Sequence, residues 1–137
     1  MLNIIKSIQL NEIIPSLNSM DFDRSRVITE DANVNFNLRT EFAEDSDHKV
    51  CRLSISAETV GTQNEGPDIF KSSLKIDYIF NIVDFEAFSS INDEERLKLA
   101  CNYSFLDFRA RLISSLKSTG MVGVELPFSM EKLIDVH

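Results

Sequence analysis

The chain has 137 residues, enough for one domain spanning 1–137 that buries roughly two-thirds of its unfolded surface. Its 22 acidic residues against 14 basic ones give a net charge of −8, which argues against nucleic acid as a partner, since binding to phosphate is driven largely by cations. No apolar run approaches a membrane span, and MLNIIKSIQL is too short and interrupted for a signal peptide, so a cytoplasmic location is expected.

In chain order, residues 3–10 alternate, with Ile4, Ile8 and Leu10 on one side and Ile5 on the other, and predict a first strand. Residues 11–31 mix Pro15, Ser16, Asn18 and Ser19 with Ile13, Ile14, Leu17, Met20 and Phe22. They read as a connection, and one this long is usually functional or disordered. From Asn33 to Phe42 the alternation is strict, with Val34, Phe36, Leu38 and Phe42 against Asn35, Asn37, Arg39 and Glu41. A polar turn, Glu44-Asp45-Ser46-Asp47, leads into a third strand carrying Cys51, Leu53, Ile55 and Ala57 inward. After a polar loop, Phe70 to Phe85 forms the longest alternating run, with Leu74, Ile76, Tyr78, Phe80 and Ile82 on its apolar side.

The period then changes from two to 3.6. Asn92 and Glu95 make a plausible capping pair, and Asp93 and Glu94 suit the positive end of a helix dipole. Asn102 to Ser104 is a candidate interruption, Gly120 a stop, and Ser129 a cap for a short last helix. Strands first and helices after predict an α+β fold. It is a four-stranded antiparallel sheet, with strands near 3–10, 32–42, 48–59 and 70–84. Helices near 93–118 and 129–135 pack on one face.

The helix from 105 to 116 carries more apolar surface than one sheet needs. Phe105, Phe108, Leu112 and Leu116 form a stripe, with Leu106, Ala110 and Ile113 beside it. Together they cover roughly half the circumference against the ~100° a surface helix requires. The remainder should meet a second subunit or a bound segment. Arg109 lies inside that arc, where an unpaired charge is costly, so an acidic or carbonyl partner is expected for it.

Catalytic and metal chemistry find little support. His48 and His137 are far apart, Cys51 and Cys101 have no metal or redox spacing, and both cysteines sit in apolar patterns as buried thiols. Glu41, Glu44, Asp45 and Asp47 lack the ligand spacing and mid-loop Gly of a calcium loop. No Gly-rich phosphate loop is present, so neither an enzyme nor a cofactor is expected.

Cys101, Phe108, Ile113-Ser114, Leu116, Ser118 and Gly120 stand at a recognisable spacing: a Cys, an aromatic turn, then Ile-Ser-x-Leu-x-Ser-x-Gly. Pro127, Phe128, Ser129, Met130, Glu131 and Leu133 follow, two residues closer than in that pattern. Tyr78-Ile79-Phe80-Asn81-Ile82 and the stretch from Ile5 to Ile13 are similar to its Gly-Ile-Phe-x-Ile strand and its first strand. With these residues the chain resembles the SecB export chaperones. It departs from them at Asn102 and Asp107, where prolines are usual, at Ala110 for Arg, and at Met121 for Gly.

The resemblance implies a SecB-like chaperone domain that holds non-native polypeptides without ATP, in protein export and transport. It also implies a homo-oligomer, a dimer at least and a tetramer built as a dimer of dimers. In the family, acidic residues on the exposed sheet face dock the SecA translocation motor. Glu12 matches one of them, whereas Ser16 and Ser73 stand where two others are expected, so a motor contact rests on Glu12.

Clients, unfolded or extended polypeptides, are expected in a groove lined by Leu17, Met20 and Phe22 of the long connection with Phe105, Leu106 and Phe108 of the helix. These are apolar side chains either in a polar segment or on a face wider than one sheet covers. Two other readings stay open. One is a SecB-like chaperone dedicated to the antitoxin of a toxin–antitoxin system; the other is a homo-oligomeric adaptor that binds folded partners only.

Overall fold

The computed structural model describes residues 2–22, 32–63 and 68–117. Four strands, β1 (Ile8–Phe22), β2 (Ala32–Glu44), β3 (Val50–Gln63) and β4 (Asp68–Ile82), form one sheet in the order β1-β4-β3-β2. Every neighbouring pair is antiparallel. A single turn of helix, α1 (Leu2–Ile5), precedes the sheet, and α2 (Phe85–Ser89) and α3 (Asp93–Lys117) follow it. The α+β architecture expected from the change of period is therefore present. The predicted helix over 129–135 and the stop at Gly120 lie outside the described residues.

The first strand departs from expectation at both ends. The chain does not extend from Asn3; α1 closes on itself through the Ser7 N–H and hydroxyl, which both donate to Ile4 O, and the strand begins at Ile8. It then runs on through residues 11–22, the stretch expected as a connection. Register shifts between Leu10 and Glu12 and between Pro15 and Leu17 mark two bulges. Each bulge inserts one residue and so reverses the alternation. The effect is to hold Ile8, Leu10, Ile13 and Met20 on one face, all packed on the core, although their spacing is not a constant two. Pro15 is tolerated because β1 is an edge strand and a missing N–H there breaks no ladder.

The turn between β2 and β3 is built on Asp45. Its Oδ1 accepts from the N–H groups of Lys49 at 2.8 Å and Val50 at 3.1 Å. The Val50 hydrogen bond is the largest of the influences holding this carboxyl below its usual range. His48 takes the left-handed backbone, φ 56°, that closes the turn.

Between β4 and α3 lies α2, which periodicity did not reveal. Asp84 caps it by accepting the Ala87 N–H at 3.1 Å, and it is short enough to hide at the end of a predicted strand. Asn92 caps α3, accepting the Glu95 N–H at 2.9 Å as the sequence predicts. No break occurs at 102–104. Ser104 sits mid-helix with its hydroxyl donating back to Ala100 O at 2.9 Å, so the helix runs 25 residues. The core lies between α3 and the sheet, where Leu53, Ile55, Ile76, Tyr78 and Phe80 meet Phe108, Leu112 and Leu116, all buried. Among the described residues no helix is long and apolar enough to cross a membrane.

Candidate functional site

The structure scatters the six residues expected to line one groove. By register, Leu17 stands opposite Lys75 on the open face of the sheet, whereas Met20 stands opposite Ser72 on the face that α3 covers. Phe22 is paired with Phe70 at the far end of β1. On α3, Phe108 is fully buried in the core, Phe105 packs on its margin, and Leu106 stands out from the helix at 74% exposure. A buried Phe108 lines no open surface, and Leu17 and Met20 cannot share a groove across the thickness of a sheet. Arg109 is exposed, so within the chain its charge needs no buried partner.

The register also places the residues tied to a motor contact. Glu12 is opposite Ile79 and Ser73 opposite Ser19, both on the open face, while Ser16 sits in the second bulge with its hydroxyl donating to Lys75 O at 3.3 Å. Lys75 and Arg39 lie in one cross-strand row of this face, linked through Ser56. A cleft of about 260 Å³ is lined there by Leu17, Arg39, Ser56, Glu58 and Lys75.

A larger cleft, about 490 Å³, opens on the covered face between β1 and the C-terminal half of α3. Leu74, Ile76, Pro15 and Met20 give it an apolar floor and wall; Asn18, Ser114, Ser115 and Arg111 give it a polar rim. Arg111 is held in place by Asp107, its Nε 2.7 Å from Oδ2, and the same oxygen accepts the Tyr78 hydroxyl at 2.8 Å. Burial first, and then this carboxylate, push the Tyr78 hydroxyl well above the usual phenol range. Sequence reasoning named only Met20 of this cleft. Pro15 and Asn18 share its face with Met20 only because of the bulge at Ser16, and Leu74, Ile76, Arg111, Ser114 and Ser115 come from β4 and α3, far along the chain, so no periodicity signals the site.

A third cleft, about 380 Å³, lies where the N-terminus of α3 meets β2, between Phe42, Glu44, Asp93 and Leu97. Arg96 organises this corner. Its Nε donates to Phe88 O at 3.1 Å, another guanidinium nitrogen donates to Ser89 O at 3.1 Å, and the group lies over the Phe88 ring. Glu44 faces Arg96 and accepts from or pairs with His48 Nδ1 at 2.9 Å, while the His48 ring stacks on Phe85 at 4.5 Å. His48 is thus engaged in packing the turn on α2. Burial pushes the thiols of Cys51 and Cys101 up to about 12 and about 11, which keeps them protonated and unreactive at neutral pH. No group of three His, Cys, Asp or Glu side chains among the described residues is placed to hold a metal ion.

No protein-family model matches the sequence, and no curated protein matches it. Solved structures do. A SecB-like chaperone of Mycobacterium tuberculosis, in complex with a ChAD peptide from the HigA1 antitoxin, superposes with a TM-score of 0.67 over 93% of this chain and 95% of that one. The identity over the match is 10%, so the likeness is one of fold. A protein of unknown function from Streptococcus agalactiae matches 88% of this chain and 97% of its own at 16% identity. Its TM-score of 0.41 is too low to argue from. The four-stranded sheet with α3 on one face is the SecB-like chaperone fold.

Proposed function

We propose that this chain is a SecB-like holding chaperone that binds an extended, non-native polypeptide segment without ATP, and that its client is an antitoxin in preference to exported precursors at large. One observation carries the reading: the fold is shared almost end to end with a SecB-like chaperone that was solved with an antitoxin peptide. The open face of the sheet supports the choice of client. Where the family's motor would meet acidic groups, Lys75 and Arg39 share a row and two of the expected acids are Ser16 and Ser73, leaving Glu12.

Holding needs apolar surface, and Ile14, Leu17 and Phe85 provide it outside the core and away from α3. Each square ångström a client covers contributes about 25 cal/mol with little demand on its sequence. The assembly that accompanies this reading is a dimer or tetramer closed by the outward side of α3. The test is a pull-down at low stringency from cells of the source organism, with the bound material identified by mass spectrometry. One dominant unfolded polypeptide is the expected result. A broad mixture of precursors would favour export, and capture of folded proteins alone would overturn the holding function.

A further inference from the structure

On the open face of the sheet, two neighbouring cross-strand rows carry opposite charge. Read from β1 to β2, one is Ile14–Asp77–Ser54–Glu41 and the next is Leu17–Lys75–Ser56–Arg39. Beyond the first row β3 places Arg52, and beyond the second it places Glu58. Asp77 and Lys75 are two apart on β4, and Glu41 and Arg39 two apart on β2. Yet none of these four, nor Arg52 nor Glu58, forms an ion pair among the described residues. Asp77 instead accepts the Ser54 hydroxyl at 2.6 Å. Arg39, Glu41, Arg52 and Glu58 are exposed, as are Ile14 and Leu17, so this part of the face is open to solvent.

We infer that a second copy of this chain seats here, open face against open face, about a two-fold axis that crosses the strands between the two rows. Each row then lies over the other. Asp77 faces Lys75 of the second copy, Glu41 faces its Arg39, and Ile14 faces its Leu17; one row further out, Arg52 faces its Glu58. The symmetry makes every pair twice, and no charge among them meets its like. An axis laid on either row would set Lys75 on Lys75 and Arg39 on Arg39, or Asp77 on Asp77 and Glu41 on Glu41, so charge fixes the register. Stacked sheets lie about 10 Å apart with strands nearly aligned, a gap that long charged side chains span. The cleft of about 260 Å³ along the second row gives the other copy's carboxylates room. Four strands about 4.8 Å apart and about twelve residues long, at about 3.3 Å each, offer roughly 750 Å², close to what each partner of a stable complex buries. The six charges cancel within each copy, so the acidic excess that makes copies repel lies elsewhere on the chain. Exposed ion pairs are individually weak, so this contact adds copies to those that α3 joins and does not hold two chains together alone in dilute solution. The inference does not depend on the holding function, although a client that uses Ile14 and Leu17 displaces the second copy.

The test is the mass of the full chain by light scattering as its concentration is raised, with two charge variants measured apart and mixed. Lys75→Glu with Arg39→Glu makes both rows acidic, and Asp77→Lys with Glu41→Arg makes both basic. Either variant alone should stop at about half the mass that the wild type reaches, because its rows now meet their like. An equimolar mixture should return to the wild-type mass, since the acidic rows of one chain face the basic rows of the other. Both variants stay net acidic, so general attraction between them does not explain such a rescue. Misfolding does not explain it either, because the rescue needs both chains folded. Variants that match the wild type on their own overturn the inference, and so does a mixture that stays at half.

Discussion

Tyr78, Cys51 and Cys101 illustrate how single residues tie the α3–sheet layer to pH. All three are buried, and each is neutral in the folded chain. Burial is the first cause in every case, with the carboxylates of Glu44 and Asp45 adding to Cys51 and that of Asp107 to Tyr78. A group whose value is raised on folding stabilises the fold fully below its unfolded value and loses that contribution as pH rises through the folded one. For the thiols that window opens at the ordinary value of 9.0 and extends through about 11 for Cys101 and about 12 for Cys51. The thermal midpoint should therefore be level to about pH 9 and then fall steeply, and the fall should be shallower in the double variant Cys51→Ala, Cys101→Ala. A midpoint that declines identically in both chains would show that the thiols take no part. Asp107 acts at the same scale. It occupies a position where the SecB pattern usually has proline, and its carboxylate joins Tyr78 on the sheet to Arg111 on the helix.

At the scale of elements, β2, β3, β4 and α3 were legible because each keeps one period over most of its length, the irregularity between Gly61 and Thr62 falling at the end of the β3–β4 pairing. Asp45 and Asn92 announced their turn and cap by residue type alone. The second half of β1 was illegible for a physical reason. With bulges at Asn11 and Ser16, Ile8, Leu10, Ile13 and Met20 share a face at intervals of two, three and seven, which no regular period fits. The expected groove came apart through simple alternation. Leu17 and Met20 differ by an odd number of residues within one unbroken run of strand, so they take opposite faces. The expected break at Ser104 failed because a mid-helix Ser can satisfy its hydroxyl on the preceding turn. Inserting one residue between Leu17 and Asn18 offers a direct check. It would lengthen the unbroken run by one and turn Met20 to the open face, exposing a side chain whose burial contributes about 2 kcal/mol. Urea denaturation should record at least that loss, whereas a one-residue insertion at Ser46, in the exposed β2–β3 turn, should cost less if strand register is what matters.

For the whole molecule the decisive quantity is the apolar surface that remains outside the core. Phe108, Leu112 and Leu116 turn inward, while Leu106, Ala110 and Ile113 recur at intervals of four and three on the outward side of α3. That spacing is the seam by which helices pair, and it fits a partner helix better than an irregular client. Opposing it, each chain carries a net charge of −8, so copies repel at long range. Salt screens that repulsion over about 8 Å at physiological strength and leaves apolar contact intact. An assembly closed by this seam should therefore gain mass as salt is added, and one held by ion pairs should lose it. Replacing Leu106 by Glu tests the seam without touching the core, since Leu106 makes up the most exposed part of it. Light scattering of the variant should return the 15.6 kDa of a single chain where the wild type returns a multiple of it, with far-ultraviolet dichroism unchanged. Phe108→Ala is the control that separates the two sides of the helix. It should cost about 3–5 kcal/mol of stability through a cavity in the core. If Leu106→Glu keeps the wild-type mass, the outward side of α3 is not where the copies meet, and its apolar residues belong to client binding instead.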